Sequence, residues 1–389
     1  MEGREEVKKH VEMLQLAGVQ SLLSNGGKEV PLSSIEGKVT CLFFSAHWCR
    51  PCRNFTPKLV QIYTMLRNTG KNIEIIFISL DHDETSFLDH FKSMPWLALP
   101  FNSSLRRKLC SHFGIEHIPA LIPLSVTPSG ELGFEEDAVK LVEEYGAEAY
   151  PFSVKRRGEL EAIDDARRQG GKLQELLGCK DRDYVVSAYG TKVSIADLTG
   201  KTVGLYFGAH WCPPCRAFTK QLMEVYNELK ILRPRSFEVI FISIDRSKEE
   251  FEESLSATPW LAIPYSDTAR QELTRIFAIK GIPALLILGL DGKVLKTDGR
   301  TAISTYGATA FPFTESRVSE VNEALRKEGD KLPRRVNNPR HRHELELDMA
   351  KAYVCDECQQ KGRYWVFSCK PCNFDLHPSC VGASNAESI

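Results

Sequence analysis

The chain repeats itself, and no other feature narrows its fold as much. "FSAHWCRPCR" (44–53) returns as "FGAHWCPPCR" (207–216), with Cys212 lying 163 residues after Cys49. "IEIIFISLD" (73–81) returns as "FEVIFISID" (237–245), "MPWLALPF" (94–101) as "TPWLAIPY" (258–265), and "HIPALIPL" (117–124) as "GIPALLIL" (281–288), each shifted by 164. "YGAEAYPF" (145–152) returns as "YGATAFPF" (306–313), shifted by 161. Matching segments in the same order at nearly one spacing are the mark of a duplicated domain. Whatever architecture satisfies one copy must satisfy the other.

Each copy alternates strand and helix patterns. "VTCLFFS" (39–45) and "IEIIFIS" (73–79) are short apolar runs suited to strands covered on both faces. "RNFTPKLVQIYTMLRN" (53–68) has apolar residues at helical spacing. This order predicts an α/β domain in each copy, a central mixed sheet with helices on both faces. A small C-terminal domain of a different kind follows. The spans are 1–178 for the first copy with a charged helical connector (153–178), 179–325 for the second, 326–340 for a linker, and 341–389 for the tail. "RKEGDKLPRRVNNPRHRH" (326–343) carries seven Lys/Arg against two acids and reads as a solvated tether rather than a nuclear-import or phosphate-binding patch.

Net charge is −1 over 389 residues, so no overall field draws the chain to nucleic acid or to an anionic membrane. The opening "MEGREEVKKHVEM" is too charged for a secretory segment, and no apolar run is long enough to span a bilayer. The compartment expected is cytosol or nucleus, where thiols are kept reduced. There, paired spacings among the 12 cysteines signal redox chemistry or metal rather than a disulfide framework.

A Cys-x-x-Cys between a buried strand and a helix puts its first sulfur at the helix N-terminus. Unpaired N–H groups and the helix dipole favour negative charge there. A thiolate so placed is an attacking nucleophile near neutral pH, and the second cysteine, one turn further in, can resolve a mixed disulfide. Pro51 and Pro214 suit the first turn, and Arg50 adds a charge that the second copy lacks. Zinc needs four ligands, and no further His/Cys pair recurs in both copies to supply them. The shared His47 and His210 read as surface residues. Lone Cys41, Cys110 and Cys179 read as buried structural cysteines.

Strand, then Trp-Cys-x-Pro-Cys opening a helix, then Ile-Pro (Ile118-Pro119, Ile282-Pro283) ahead of a strand, resembles the thioredoxin pattern. The surroundings are more similar to tryparedoxin and nucleoredoxin. The resemblance implies two thioredoxin-like domains in which Cys49 and Cys212 attack and Cys52 and Cys215 resolve. It also implies that Pro119 and Pro283 are cis and face the substrate, and that Trp48 and Trp211 shield the site. Trp96 and Trp260 either shape its rim or are core aromatics. Thioredoxin carries a buried Asp six residues before its first cysteine. Phe43 and Tyr206 stand there instead, so the proton acceptor is unassigned.

The tail reads His-x-His-x11-Cys-x2-Cys-x10-Cys-x2-Cys-x4-His-x2-Cys over 341–380, a zinc pattern in a stretch too short for a core of its own. It resembles the divergent cysteine/histidine-rich zinc domain of plants, related to the diacylglycerol-binding domain of protein kinase C. The resemblance implies interleaved sites. Cys355, Cys358, His377 and Cys380 would hold one zinc, and Cys369 and Cys372 the other. The final cysteine of the kinase pattern is absent from "VGASNAESI", so His341 and His343 are expected to complete the second site. The short loop between Cys358 and Cys369 argues against diacylglycerol binding and for structural zinc with a protein-binding face.

Taken together the order resembles plant nucleoredoxins. It implies a protein-disulfide reductase with two zinc ions and no bound nucleotide, acting on disulfide-containing client proteins. Reducing equivalents would come from an external NADPH-dependent, thioredoxin reductase-like donor, and neither nucleic acid nor membrane is required. The alternative is a redox-sensitive adaptor whose cysteine pairs and zinc domain regulate partner binding without turnover.

Overall fold

The computed structural model describes residues 11, 14, 15, 18–126, 132–179 and 181–381. Residues 1–10 and 382–389, on which the readings of the charged start and the cysteine-free end fall, lie outside them. Among the described residues no helix is long and apolar enough to cross a membrane.

The first repeat holds strands β1 (Ser21–Leu23), β2 (Glu29–Pro31), β3 (Val39–Ser45), β4 (Ile73–Ser79), β5 (Leu97–Ala98), β6 (Ala120–Val126) and β7 (Leu132–Phe134). Its helices are α1 (Arg50–Asn68), α2 (Glu84–Phe91), α3 (Ser103–His112), α4 (Val139–Tyr145) and α5 (Val154–Gln169). The strands form one sheet in the order β2-β1-β5-β4-β3-β6-β7. β3 runs parallel to β4 and antiparallel to β6, so the sheet is mixed. Both central strands are buried along almost their whole length, as the unbroken apolar runs require. Phe55, Leu59, Tyr63 and Leu66 give α1 one apolar face, packed on Phe43 and Phe77 of the sheet. The opposite face of the sheet packs on a second core around Leu42, Ile76 and Leu109.

After α6 (Leu173–Leu177), the second repeat has β8 (Tyr184–Ser187), β9 (Lys192–Ser194), β10 (Thr202–Gly208), β11 (Phe237–Ser243), β12 (Leu261–Ala262), β13 (Ala284–Leu288) and β14 (Val294–Lys296). Its helices are α7 (Pro213–Leu232), α8 (Lys248–Ser256), α9 (Ala269–Ile276), α10 (Gly299–Tyr306) and α11 (Glu315–Gly329). Its sheet, β14-β13-β10-β11-β12-β8-β9, has the topology of the first, strand for strand. Thr314 caps α11 by accepting from the Arg317 amide at 3.2 Å, and Asp83 caps α2 in the same way at 2.8 Å.

Two compact units divide between Asp164 and Asp165, ahead of the boundary expected near 178. The division falls inside α5, which was expected as part of a connector. Leu160 belongs to the first core, and buried Asp164 accepts from the Tyr145 hydroxyl at 2.9 Å. The span 326–340 is likewise more ordered than a tether. α11 runs to Gly329, and β15 (Arg335–Val336) pairs with β16 (Leu345–Val354).

β17 (Lys361–Cys369) and β18 (Phe374–Leu376) complete a four-stranded antiparallel sheet in the tail. This sheet packs on the second repeat. Trp365 donates its indole N–H to the Leu325 carbonyl at 2.9 Å, and the Tyr364 hydroxyl donates to the Tyr306 backbone carbonyl at 3.0 Å. Gly329 is where the ring of Trp365 lies, and Gly307, at φ +59°, is where the guanidinium of Arg363 lies. A Cβ on either glycine would collide with its partner.

Candidate active sites and metal centre

β3 delivers the chain to the sheet's C-terminal edge, and α1 begins five residues later. Cys49 is the N-cap of α1, in an extended backbone conformation, and its sulfur accepts from the Cys52 amide at 3.3 Å. Cys212 caps α7 in the same way, accepting from the Cys215 amide at 3.3 Å. In each case the sulfur meets N–H groups that the helix leaves unpaired. Ile118-Pro119 and Ile282-Pro283 are cis, as are Tyr150-Pro151 and Phe311-Pro312. The Cys49 sulfur lies 3.6 Å from the Ile118 carbonyl oxygen, and that of Cys212 lies 4.0 Å from Ile282's. Cys49 and Cys52 are free thiols, whereas Cys212 and Cys215 are joined in a disulfide.

Cys52 is fully buried. Burial, and then its hydrogen bond with Cys49, pushes its thiol up to about 12. Both thiols of the first site are buried but unequally so, Cys49 at the helix end with 6% exposure and Cys52 fully enclosed behind it.

Trp48 and Trp211 are 54% and 40% exposed, so both flank the sulfurs at the surface. Trp48 stacks on His82, with ring centres 5.7 Å apart, while Trp211 lies 4.8 Å under the guanidinium of Arg246. Arg53 and Arg216 tie back the two loops by donating to the carbonyls of His47 and His210. Trp96 and Trp260 are each only 1% exposed, so they are core aromatics and not rim residues. Cys41 is buried and Cys110 partly so, but Cys179 is exposed beside Asp267, against expectation.

Each site also has a carboxylate that the sequence reading missed. Asp81 and Asp245 are buried two residues beyond the ends of β4 and β11. Asp81 accepts from the His47 amide at 2.7 Å and from the Ser79 hydroxyl at 2.8 Å. Asp245 accepts from the His210 amide at 2.6 Å and from the Ser243 hydroxyl at 2.7 Å. Burial would raise the Asp81 carboxyl. His90 at 3.9 Å, Ser79 and the His47 amide outweigh it and hold the group below its ordinary range. Both carboxylates therefore brace the loop carrying His-Trp-Cys. The signal was present in the repeated Phe-Ile-Ser-x-Asp.

Beneath the buried cysteines the copies diverge. In the first, Thr56 donates to the Cys52 carbonyl at 2.9 Å, and the buried Ser45 hydroxyl faces the Cys52 thiol, where it favours the ionised form against the larger effect of burial. In the second, Phe43 is replaced by Tyr206, whose hydroxyl donates to the Cys215 carbonyl at 3.2 Å and meets Thr219 at 2.9 Å. Ser45 is replaced by Gly208, where a Cβ would stand 2.8 Å from that phenol oxygen. The phenol and the absent side chain are one exchange.

The tail brings its eight predicted ligands into two groups: Cys355, Cys358, His377 and Cys380, and His341, His343, Cys369 and Cys372. Within each group one donor atom per residue lies within 4.8 Å of all the others. His377 Nδ1 is 3.2 Å from the Cys358 sulfur and 3.8 Å from that of Cys380. His343 Nδ1 is 3.2 Å from Cys372 and 3.5 Å from Cys369. Donors about 2.0–2.3 Å from a tetrahedral zinc are spaced at roughly such distances. His341 stacks on Phe374, and its buried Nε2 has no protein partner, a nitrogen placed for a metal.

Comparison with known proteins matches this arrangement. A thioredoxin-like family pattern fits residues 37–132 and 200–294, and a C1 domain pattern fits 339–381. A probable nucleoredoxin 3 of Oryza sativa subsp. japonica is 70% identical over 96% of this chain and 79% of that protein. The chain belongs to the nucleoredoxin family. A probable nucleoredoxin 3 of Arabidopsis thaliana is 55% identical over 96% of this chain and 94% of that protein. Tryparedoxin II from C. fasciculata is 36% identical over 35% of this chain and 94% of that structure, with a TM-score of 0.33. The chain thus carries two thioredoxin-like α/β domains followed by a C1-type Cys/His domain. Membership, with a Cys-x-x-Cys pair in each repeat, supports a redox oxidoreductase role.

Proposed function

We propose that this nucleoredoxin is a dithiol reductase of protein disulfides working through two sites, Cys49/Cys52 and Cys212/Cys215. The observation that carries the reading is the pair of sulfurs at helix N-caps, each beside the carbonyl that precedes a cis-proline. The Cys49 thiolate attacks one sulfur of a client disulfide and forms a mixed disulfide, and the other client sulfur leaves as a thiol. Cys52 then loses its proton and attacks the Cys49 sulfur. The second client thiol departs, and two electrons have passed from the cysteine pair to the client. Cys212 and Cys215 follow the same course. An external NADPH-dependent reductase, of thioredoxin reductase type, returns the pairs to dithiols in the cytosol or nucleus.

Each Cys/His group of the tail holds one structural zinc in this reading. Bound zinc would join the ends of the β16–β17 hairpin to the flanking loops and keep its thiols from exchange chemistry.

The test is turnover of a disulfide protein such as insulin with NADPH and thioredoxin reductase. Cys49→Ser and Cys212→Ser should each remove one site's share, and the double variant should fall to the uncatalysed rate. Wild-type turnover in the double variant overturns the reading. No turnover in the wild type, with partner capture that depends on oxidation, favours the adaptor.

A further inference from the structure

The second repeat contains a cavity of about 380 Å³ between α7 and α8, floored by Tyr206 of β10 and Phe241 of β11. That is the size of a small-molecule site. It arises from two shortened side chains. At the positions of Ser254 and Thr258, the first repeat carries His90 and Met94, both buried. The His90 ring sits 5.3 Å from Phe77 and 5.8 Å from His47, counterparts of Phe241 and His210. Imidazole and thioether are thus cut to hydroxymethyl and hydroxyethyl, and the space they fill in one copy is open in the other.

The walls are chiefly apolar. The Thr258 hydroxyl is turned away to the Leu255 carbonyl at 2.9 Å, and that of Ser254 to Asp245 at 3.3 Å. Trp260 borders the cavity with a buried indole N–H that has no protein partner. The indole of Trp96 is unpartnered too, but there His90 and Met94 occupy the adjoining positions. At the mouth stand exposed Arg216 and Lys220, with Glu253 already paired to His210 at 3.2 Å.

We propose that this cavity binds small aromatic anions. A flat ring system lies against Phe241, Tyr206 and Trp260, whose indole donates to an acceptor on it, and one acidic group reaches Arg216 and Lys220. The site goes beyond disulfide reduction and is addressed to one repeat. Tyr206 forms its floor and also donates to the Cys215 carbonyl, so an occupant touches the support of the second redox pair.

The probe is 1-anilinonaphthalene-8-sulfonate, titrated by fluorescence into the full-length, zinc-loaded protein. One saturable site per chain is expected. Thr258→Met, which restores the residue of the first repeat, and Ala257→Trp at the mouth should each weaken binding at least tenfold while unfolding remains cooperative. A second measurement needs no filled variant. Among the six methionine methyls labelled with carbon-13, that of Met223, which lines the cavity, should shift with probe occupancy, whereas those of exposed Met65 and Met349 should not. Absence of a saturable site, binding unchanged within twofold in folded variants, or a silent Met223 at saturation overturns the proposal.

Discussion

Gly329 and Trp365 offer a direct test of whether the C1-type module and the second thioredoxin-like domain are one packed body. Gly329 ends α11, and a methyl group there would enter the indole of Trp365. Neither α11 nor β17 can yield easily, because the same indole donates to the Leu325 carbonyl one turn earlier. Forcing a methyl into a packed contact costs about 1–3 kcal/mol. Without the indole, the same Gly→Ala change in a helix gains about 0.5–1 kcal/mol from propensity. The sign of the Gly329→Ala effect should therefore reverse between wild type and Trp365→Ala, with a coupling energy of about 1.5–4 kcal/mol. Several domains in one chain make a global unfolding free energy ill-defined, so the assay is native-state hydrogen exchange of the α11 and β17 amides. In the wild type, Gly329→Ala should lower their protection at least fivefold. In Trp365→Ala it should leave protection unchanged or raise it. An equal loss in both backgrounds refutes the docking.

The remaining predictions concern the sites themselves. Because the Cys52 thiol is pushed to about 12 and buried, iodoacetamide at pH 8 should label Cys49 and spare Cys52. Peptide mass spectra finding equal labelling would contradict this. Asp81 is held low when folded and returns towards 3.8 when unfolded, so the unfolded chain binds more protons in that interval. Its contribution to stability should be complete above about pH 3.8 and vanish as pH falls through the folded value. Asp81→Asn should flatten that acid limb and cost about 1–3 kcal/mol at neutral pH, because the His47 amide and Ser79 hydroxyl lose a charged acceptor. An unchanged acid slope in the hydrogen-exchange protection of the β3 and β4 amides would count against it. Metal analysis should find two zinc ions per chain, falling to one in either Cys358→Ser or His343→Ala. Removal with a strong chelator should collapse exchange protection in β16 and β17.

The duplication made the α/β class legible, because two copies that differ in detail agree on the order of strands and helices. The Cys-x-x-Cys sulfurs were legible as well, since a strand, a pair of cysteines and a proline leave few places for the first sulfur other than a helix N-terminus. The grouping of the tail's ligands came from spacing together with family likeness. Asp81 and Asp245 were not found, because an acid two residues past a strand looks like an ordinary turn residue. Its role exists only because β3 and β4 are parallel neighbours, whose ends bring Asp81 to the His47 amide. Trp96 and Trp260 could have been rim or core, and the packing of Trp96 on Phe43 and Tyr63, and of Trp260 on Tyr206 and Tyr226, decided for core. The helical segment at 153–178 looked like a connector because its charges outnumber the few apolar residues, such as Leu160, that join a core. The stretch after α11 looked like a tether because Pro, Asn and Arg dominate it. Strand pairing of Arg335 and Val336 depends on β16, a partner that composition does not reveal.

The exchange of Phe43 and Ser45 for Tyr206 and Gly208 separates two properties that a single thioredoxin-like domain must tune together. Both mouths carry a tryptophan, an arginine and a proline at matching positions, Trp48, Arg53 and Pro119 in one and Trp211, Arg216 and Pro283 in the other. The support under the second sulfur is different in each copy, so exchanging these two residues between the repeats changes the surroundings of a buried cysteine while leaving its mouth as it was.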